Sequence, residues 1–376
     1  MNYRDTVKIL AKKVTEMILI ITIALLVCIL VIAGVLQVLS PGKPKPYVDK
    51  RGNLLAGSLS EKVFINIGGV KQGMFIKSKD STHPVLLYLH GGMPDYFLAQ
   101  KYTTGLEDYF TVVWWEQRGS GISYSRDVVK ETITLEQLIN DVAEVTDYLR
   151  NRFGQEKIYL MGHSGGTFIG IQAAAKFPEL YHAYIGVAQM SDQLKSERIA
   201  YNYMLKRYEK NGNKKMVRKL LAAPVVNATP DAYLKLRDRA MHSLGIGTMH
   251  DMKSVISGIL LPSLTCRDYT LMEKINMWRG KSHSGVSSLW NEMLGTSLIH
   301  KVPELDIPTY IFGGVYDYTV SFTLAKEYFE KLKAPVKGFY TFERSAHSPI
   351  FEEPERVQSI MGEDVLRGVN NLADIK

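Results

Sequence analysis

Residues 158–166 read Ile-Tyr-Leu-Met-Gly-His-Ser-Gly-Gly, an apolar run that ends in a Gly-x-Ser-x-Gly pattern. This pattern is typical of a buried strand that turns sharply into a helix and presents one serine, here Ser164, at the bend. Gly162 and Gly166 flank the serine because a side chain at either position would strike the neighbouring backbone. The pattern predicts that Ser164 stands clear of a sheet with its own backbone strained.

Strand-like and helix-like segments alternate on both sides of this turn. Residues 61–78 alternate apolar and polar around Gly68 and Gly69, which predicts an antiparallel hairpin. Continuous apolar runs, typical of strands covered on both faces, occupy residues 85–89, 111–115, 158–163, 184–187, 309–312 and 336–342. Helical patterns occur around residues 135–149, 167–176 and 322–332 and after Pro354. Thr134 can cap the first of these helices, with Gln137 as its reciprocal partner.

The alternation stops at residues 190–300, whose pattern is mainly helical. A strand–helix order interrupted by one helical insertion predicts an α/β fold, in which a mostly parallel sheet flanked by helices carries a cap over one edge. We therefore divide the chain into a short tail (1–16), an apolar anchor (17–39), a linker (40–58), the first part of the core (59–189), the cap (190–300) and the second part of the core (301–376).

The composition excludes several classes of protein. Of the 376 residues, 46% are hydrophobic and 22% are charged, which is typical of a globular chain and excludes disorder. The net charge of +8 could indicate a nucleic-acid partner, but the basic residues are dispersed and form no nucleic-acid motif. A basic surface near an anionic membrane, or solubility alone, accounts for the charge. The two cysteines, Cys28 and Cys266, belong to no metal-binding pattern, so no metal or other cofactor is expected.

Met17 to Leu36 contains no charged residue and is dominated by Ile, Leu and Val. As a helix these residues span the roughly 30 Å hydrocarbon layer of a bilayer. A buried helix and a cleavable signal peptide are the alternatives, but the stretch is long for a signal and lacks a clear cleavage site. We expect an uncleaved single-pass anchor with the main domain outside the cytoplasm, although basic residues on the two sides nearly balance. The Pro-rich residues 40–46 predict a stiff spacer that lifts the domain off the bilayer.

Two residues far along the chain complete a nucleophilic arrangement with Ser164. A serine hydroxyl needs a base to take its proton, and that base needs a group that fixes its tautomer. Asp317 and His347 each follow a predicted strand, where the carboxyl ends of parallel strands meet. The order serine, acid, histidine matches the α/β-hydrolase arrangement. Alternatively, Asp317 caps a turn and His347 is an ordinary loop residue.

Backbone N–H donors for a developing oxyanion are expected nearby. The segment His90-Gly-Gly follows a predicted strand, and its Gly92 is one candidate donor, with Gly165 after the serine as the other. Taken alone, the double glycine could simply end a strand in a turn. His163 is interpreted as a packing residue and Asp306 as a turn former.

Three segments resemble those of the α/β-hydrolase superfamily: His90-Gly-Gly-Met-Pro94, Trp114-Trp-Glu-Gln-Arg-Gly-Ser-Gly-Ile-Ser123 and Gly162-His-Ser-Gly-Gly166. More narrowly, they are similar to the proline iminopeptidase-like serine hydrolases, the S33 peptidase group, over about residues 60–376. The resemblance implies an α/β-hydrolase fold, a triad of Ser164, His347 and Asp317, and a supporting loop at Gln117-Arg118-Gly119.

The chain departs from the family pattern at three places. Met93-Pro94 stands where Pro-Gly is common, Gly165 replaces a residue that is often bulky, and Glu116 stands where Asp is common. The first two differences weaken the inference that this chain shares the family's substrate. They do not weaken the inference that it shares the family's chemistry.

Aminopeptidases of this family recognise a free α-ammonium with carboxylates of the cap. Asp192, Glu197 and Glu273 are the candidates in this chain, and the alternative is that they are solvated helix charges. Two functions remain: a membrane-anchored serine hydrolase of a small ester, amide or short peptide, or a non-catalytic hydrolase-fold protein that binds a ligand or partner. The complete serine, acid and histidine set favours the enzyme, since binding alone needs no triad.

Overall fold

The computed structural model describes residues 3–281 and 288–376. Within them, eight strands form one sheet: β1 (Leu59–Ile67), β2 (Val70–Ser78), β3 (Val85–Leu89), β4 (Thr111–Glu116), β5 (Ile158–His163), β6 (Tyr181–Val187), β7 (Thr309–Gly314) and β8 (Lys337–Phe342). Their order across the sheet is β1-β2-β4-β3-β5-β6-β7-β8. Strand β2 pairs antiparallel with β1 and β4, and the pairs from β4 to β8 are parallel. The predicted mostly parallel sheet is confirmed.

The helices follow the strands in the predicted alternation. They are α1 (Tyr3–Val38), α2 (Tyr96–Ala99), α3 (Leu135–Phe153), α4 (Gly165–Lys176), α5 (Gln193–Lys210), α6 (Lys214–Leu221), α7 (Asp231–Leu244), α8 (Leu261–Thr265), α9 (Leu271–Lys281), α10 (Trp290–Gly295), α11 (Leu298–Lys301), α12 (Phe322–Lys331), α13 (Pro349–Glu352) and α14 (Pro354–Ile360). Short 3₁₀ turns lie at Leu106–Asp108, Gly121–Ser123, Lys130–Thr132 and Pro178–Leu180, and π-helical turns at Ile256–Leu260 and Met361–Val365.

Alternating side chains of the central strands build two apolar layers, one on each face of the sheet. Leu87 of β3 packs in one layer with Val142 of α3, whereas Leu86 packs in the other with Val357 of α14. Every residue of β3, β4, β5 and β7 is buried, as expected for strands covered on both faces. Full burial of each large apolar side chain contributes about 1.5–3 kcal/mol, so these layers fix the strand ends that carry the site.

The cap lies between β6 and β7 and has an apolar core of its own. Met204 and Tyr208 of α5 pack there with Leu220 and Tyr233 from the next two helices. Much of the aromatic and Met content of this region therefore stabilises the cap itself.

The start of α3 shows half of the predicted reciprocal capping. The Gln137 backbone N–H donates to Thr134 Oγ1 at 3.1 Å, as predicted. The Gln137 side chain does not return to Thr134, because its amide donates to Asp141 Oδ1 at 2.7 Å. Asp141 is fully buried and paired with Arg118, so its carboxylate attracts a further donor.

Helix α1 and the segment that follows it differ in burial. Val7–Val38 is apolar and long enough to cross a membrane, and no residue of its most apolar stretch is buried in the protein. Ser40 and Gly42, by contrast, are buried against the cap. The Gly42 N–H donates to Arg267 O at 3.1 Å, and Pro41 forms a β-bridge with Thr270. The start of the linker is thus docked against the cap, and the stiff spacer of residues 40–46 stays a prediction.

Candidate active site

Ser164 occupies a sharp turn between β5 and α4. Its φ is 55° and its ψ is −126°, a conformation that L-residues rarely adopt. The Ser164 N–H donates to Val187 O at 3.0 Å, so the sheet holds the turn in place. A Cβ at Gly166 would lie 2.7 Å from His90 O, and one at Gly162 would lie 2.7 Å from Gly166 O. The turn therefore requires glycine at both positions, as the sequence predicts.

Asp317 and His347 follow β7 and β8 and form a buried pair. The His347 Nδ1 lies 2.9 Å from Asp317 Oδ2. The other carboxylate oxygen, Oδ1, accepts the backbone N–H groups of Thr319 at 2.9 Å and Val320 at 3.0 Å. Because both oxygens are engaged, the carboxylate is fixed and in turn fixes the imidazole ring.

The environment of His347 favours its neutral form. Burial lowers the pKa of His347 below its ordinary value of 6.5, and the nearby Asp317 charge opposes this shift without cancelling it. Within the described residues, no hydrogen bond joins Ser164 Oγ to the His347 ring, although both line the same cavity. Such contacts are often long before substrate binds.

Glu352 holds the turn that carries His347. Its Oε1 accepts the backbone N–H groups of Ala346 at 2.9 Å and Ser348 at 3.3 Å, one on each side of the histidine. Its Oε2 accepts the N–H of His250, a cap residue, at 2.6 Å. Burial raises the pKa of Glu352 to about 7. A single carboxyl group therefore connects this turn with the cap.

His163 has a more specific position than the predicted packing role. Its Nδ1 lies 2.9 Å from Asp95 Oδ2, and its Nε2 lies 2.9 Å from the backbone oxygen of His347. Both partners are acceptors, so only the doubly protonated ring donates to both. Burial alone would lower the pKa of His163, but Asp95 outweighs it and the pKa is raised. No local sequence pattern predicts this contact, because the two histidines are far apart along the chain.

The loops after β3 and β4 support each other beside the serine. The Gln117 N–H donates to His90 Nε2 at 3.1 Å, and the Gln117 amide donates to His90 O at 2.9 Å. Burial lowers the pKa of His90 to about 4, so the ring is neutral and accepts this N–H. Arg118 forms a buried ion pair with Asp141 at 2.8 Å. The loop 117–119 thus has the supporting position that the resemblance implied.

The double glycine after β3 lies directly against the serine. A Cβ at Gly91 would lie 2.8 Å from Ser164 Cβ and 3.1 Å from its Oγ. Gly92 and Gly165, the predicted oxyanion donors, both line the same cavity as Ser164 and His347. This close approach leaves no room for a side chain at residue 91.

Glu116, which departs from the family pattern, is buried and reaches the cap. It accepts the N–H of Ile122 at 2.6 Å and the hydroxyl of Tyr269. Burial raises the pKa of Glu116 to about 8. The glutamate therefore ties the loop after β4 to the cap as well as bracing its own turn.

The cavity above Ser164 has a volume of about 510 Å³ and is mostly apolar. Its lining includes Phe97, Leu98, Met190, Met241, Ile259 and Trp290. The size and lining suit a small molecule with an apolar portion. Residues 3–281 and 288–376 contain no group of three or more His, Cys, Asp or Glu side chains that could hold a metal ion.

Two of the predicted substrate-binding carboxylates have other partners and do not line the cavity. Asp192 caps α5 by accepting the N–H of Lys195 at 2.9 Å. Glu273 forms a salt bridge with Lys62 at 2.8 Å. Asp192 therefore stabilises the start of a cap helix, and Glu273 ties the cap to β1. The structure does not bring either of them to Ser164.

Glu197 lies behind the cavity wall in a buried ion pair. Arg237 donates to its two oxygens at 2.6 and 2.8 Å, and Tyr233 and Gln193 donate at 2.8 and 2.9 Å. The cavity-lining member of the pair is Arg237, and Asp238 lines the cavity beside it. Sequence analysis missed both residues, because nothing local distinguishes them from surface charges of a helix.

Comparisons with known proteins agree with this geometry. The family model "Serine aminopeptidase, S33" matches residues 80–354. A probable aminopeptidase, YbaC, of Bacillus subtilis (strain 168) is 31% identical over 295 residues, which is 77% of this chain and 91% of the relative.

Solved structures of lower identity share the fold. A proline iminopeptidase of Mycobacterium smegmatis aligns with a TM-score of 0.57 at 15% identity, over 82% of this chain and 98% of the other. An epoxide hydrolase of Bacillus megaterium aligns with a TM-score of 0.50 at 18% identity, over 81% of this chain and 100% of the other. The predicted α/β-hydrolase fold is thus confirmed, and the chain belongs to the S33 serine aminopeptidase family of α/β hydrolases.

Proposed function

We propose that this protein is a serine hydrolase that cleaves a small ester or amide through an acyl-enzyme on Ser164. The observation that carries the proposal is the buried Asp317–His347 pair, whose histidine lines one cavity with a serine held at positive φ. A protein that only binds a ligand needs neither an oriented imidazole nor a strained serine.

In this reaction His347 acts first as a base and then as an acid. Its Nε2 takes the proton of Ser164 Oγ as that oxygen attacks the acyl carbon, and the protonated ring then gives the proton to the leaving group. The same nitrogen then takes a proton from a water molecule as its oxygen attacks the acyl carbon, and it returns that proton to Ser164 Oγ as the acid leaves. Asp317 keeps the Nδ1 proton in place and stabilises the transient imidazolium.

The oxyanion of each tetrahedral intermediate would be bound by backbone N–H groups. We assign this role to Gly92 and Gly165, which flank Ser164 in the cavity lining. Donors fixed in the backbone need no reorganisation as charge develops, and loss of one such donor typically costs about 10²–10³-fold in kcat.

A fluorophosphonate probe tests the proposal directly. We expect the wild-type protein to be labelled and Ser164→Ala to be unlabelled, because the probe reacts only with an activated serine. Ser348→Ala is the matched control, since Ser348 lines the same cavity and should not affect labelling. An unlabelled wild type, or labelling that survives Ser164→Ala, would favour the non-catalytic, ligand-binding alternative.

Aminopeptidase activity is a narrower candidate, which the family match and the B. subtilis relative favour. The ammonium of a peptide N-terminus needs an accessible carboxylate, and Asp238 is the partly exposed candidate on the cavity wall. Arg237 and Lys281 already face Asp238 at 3.3 and 3.7 Å, which weakens its attraction for a further cation. Proline β-naphthylamide tested beside short acyl esters decides the point: hydrolysis of esters alone removes the aminopeptidase assignment.

We also propose that α1 anchors the protein in a membrane as a single span, with the hydrolase domain outside the cytoplasm. The support is the apolar stretch Val7–Val38, whose most apolar part contains no residue that is buried in the protein. The mass of the protein extracted from membranes separates an anchor from a cleaved signal sequence. Protease treatment of intact cells should degrade the hydrolase domain. Full protection of the domain would indicate the opposite orientation, with the domain inside the cytoplasm.

A further inference from the structure

The cap holds the carboxyl end of α1 through one buried lysine. Lys274 Nζ donates to Leu39 O at 2.9 Å, to Ser40 Oγ at 2.8 Å and to Leu264 O at 2.7 Å. An ammonium has three donors, so these three acceptors satisfy it completely. Leu264 belongs to α8 and Lys274 to α9, and the lysine therefore ties both cap helices to the end of the apolar helix.

Backbone contacts reinforce this attachment. The Gly42 N–H donates to Arg267 O, and Pro41 forms a bridge with Thr270, so the chain leaving α1 runs along the α8–α9 connection. Since α1 ends at Val38, helices α8 and α9 lie at the level where a membrane-spanning helix would leave the hydrocarbon.

The same part of the cap exposes large apolar side chains. Ile256, Leu261, Met272 and Ile275 are 63%, 51%, 57% and 39% exposed, and we call these four residues the anchor-side face. On α8, Leu261 precedes the lysine-bound Leu264 by about one turn, and on α9, Met272 and Ile275 are three residues apart and therefore lie on one side of the helix. Clusters of exposed apolar side chains mark interaction surfaces.

We propose that the anchor-side face lies in the headgroup and upper acyl region of the same bilayer that α1 spans. This inference rests on the membrane anchor of the proposed function and adds a second membrane contact, made by the cap. A bilayer is the occupant because the cap segment that carries the face is hydrogen-bonded, through Lys274 and Arg267, to the residues at the end of the apolar helix. Exposed Arg267 and Lys253 on the same segment suit anionic lipid headgroups.

The face adjoins the cavity of the enzyme. Ile259 lies in the turn Ile256–Leu260, between two residues of the anchor-side face, and lines the cavity above Ser164. A substrate dissolved in the bilayer would therefore meet the cap wall of the cavity before it met bulk water. The matching substrate class is an ester or amide with an apolar acyl chain.

Depth-dependent quenching tests the proposal on the full chain in lipid vesicles. In a background of Cys28→Ala and Cys266→Ala, a single cysteine at residue 256, 261, 272 or 275 carries an environment-sensitive fluorophore. Leu221→Cys is the matched control, because Leu221 is a similarly exposed apolar residue of the cap on α6, a helix outside the segment 253–275 that carries the face and its basic residues. We expect quenching by a lipid-borne nitroxide at least 3-fold stronger at the four sites than at residue 221, with the reverse order for an aqueous quencher.

Two outcomes would overturn the proposal: aqueous quenching at the anchor-side face equal to that at residue 221, or no lipid quenching at any of the four sites. Native Cys28, kept as the only labelled cysteine, reports the anchor itself because it lies in the apolar stretch of α1. Lipid quenching at Cys28 without lipid quenching at the four sites would overturn this proposal alone, whereas no lipid quenching at Cys28 would overturn the anchor, and Ser164→Ala should leave every value unchanged. The variant Leu261→Ser with Met272→Ser gives a second readout. This double variant should lower kcat/KM several-fold for a long-chain ester held in vesicles. It should leave kcat/KM for a soluble acetyl ester unchanged. Equal effects on both substrates would contradict the proposed contact of the cap with the bilayer.

Discussion

Two buried acid–base pairs lie close to the same cavity, and they differ in whether a polar atom of the pair remains without a partner among the described residues. In the Asp317–His347 pair, the carboxylate is saturated but the imidazole uses only Nδ1 among the described residues. In the Glu197–Arg237 pair, four donors saturate the carboxylate, and the guanidinium donates to Glu197, Asp238 and Thr319 O. Both pairs are buried, but Arg237 is charged whereas burial favours the neutral form of His347. The imidazole Nε2, which no described residue binds, distinguishes the pair that we propose to be reactive from the structural one.

Removing the imidazole of His347, and with it the Nε2 that we propose as the base, is expected to have the largest effect of the changes considered. His347→Ala should lower kcat by about 10⁵-fold, because Ser164 then has no base. Single-turnover acylation by a chromogenic ester measures the loss, and circular dichroism checks that the fold is intact. Turnover at the wild-type rate in a folded variant would disprove the role of His347.

Changing the acid tests whether Asp317 orients the ring. Asp317→Asn should lower kcat by about 10⁴-fold, because an amide that donates to Nδ1 selects the wrong tautomer. Thr319→Ala is the control, since Asp317 accepts from the backbone of Thr319 and not from its side chain. A loss of less than 10-fold in Asp317→Asn would mean that another group orients His347.

The structural pair should affect stability more than chemistry. Arg237→Met leaves Glu197 buried without its cation and should lower the free energy of unfolding by about 3–5 kcal/mol. The double variant Glu197→Leu with Arg237→Met should recover much of this loss, because apolar replacements remove the buried charge. Lys195→Met breaks the exposed pair with Glu327 and should cost about 1 kcal/mol or less. Urea unfolding in detergent micelles compares the three, and equal losses for Arg237→Met and Lys195→Met would contradict the comparison.

The pH profile is the smallest expected effect and concerns the reactive pair alone. Only neutral His347 accepts a proton, and burial lowers its pKa, so kcat/KM should rise with pH and reach its plateau early. The midpoint should fall below 6.5, the ordinary histidine value, when an uncharged ester is the substrate. A midpoint at or above 6.5 would show that the folded site does not favour the neutral ring.

The sequence predicted the parts of this molecule that depend on local pattern. Continuous apolar runs predicted the strands. Ser164, Asp317 and His347 each follow such a run, and parallel strands end at one edge of the sheet, so the three residues could be expected to lie close together. The sequence did not predict contacts between distant segments. Glu197 has the helical spacing of a solvated charge, and only the fold brings Arg237 to it. Likewise, the Pro-rich residues 40–46 predict a stiff spacer, and nothing in the sequence indicates that the cap residue Lys274 binds Ser40.

Glu352 has a consequence for how often the site opens. Its carboxyl group accepts from both neighbours of His347 and from His250 of the cap, so the cap cannot lift at this edge without breaking a hydrogen bond to that group. Because the pKa of Glu352 is raised to about 7, this carboxyl group is mostly ionised only above that pH. There a hydrogen bond to the charged group contributes about 1.5–3 kcal/mol, which makes an open conformer roughly 10- to 100-fold rarer. Hydrogen exchange at the His250 amide measures that population, and Glu352→Ala should raise it. The opening of the cap at this edge and the position of His347 thus depend on the same Glu352 side chain. We therefore expect a variant whose cap opens more often also to hold His347 less firmly.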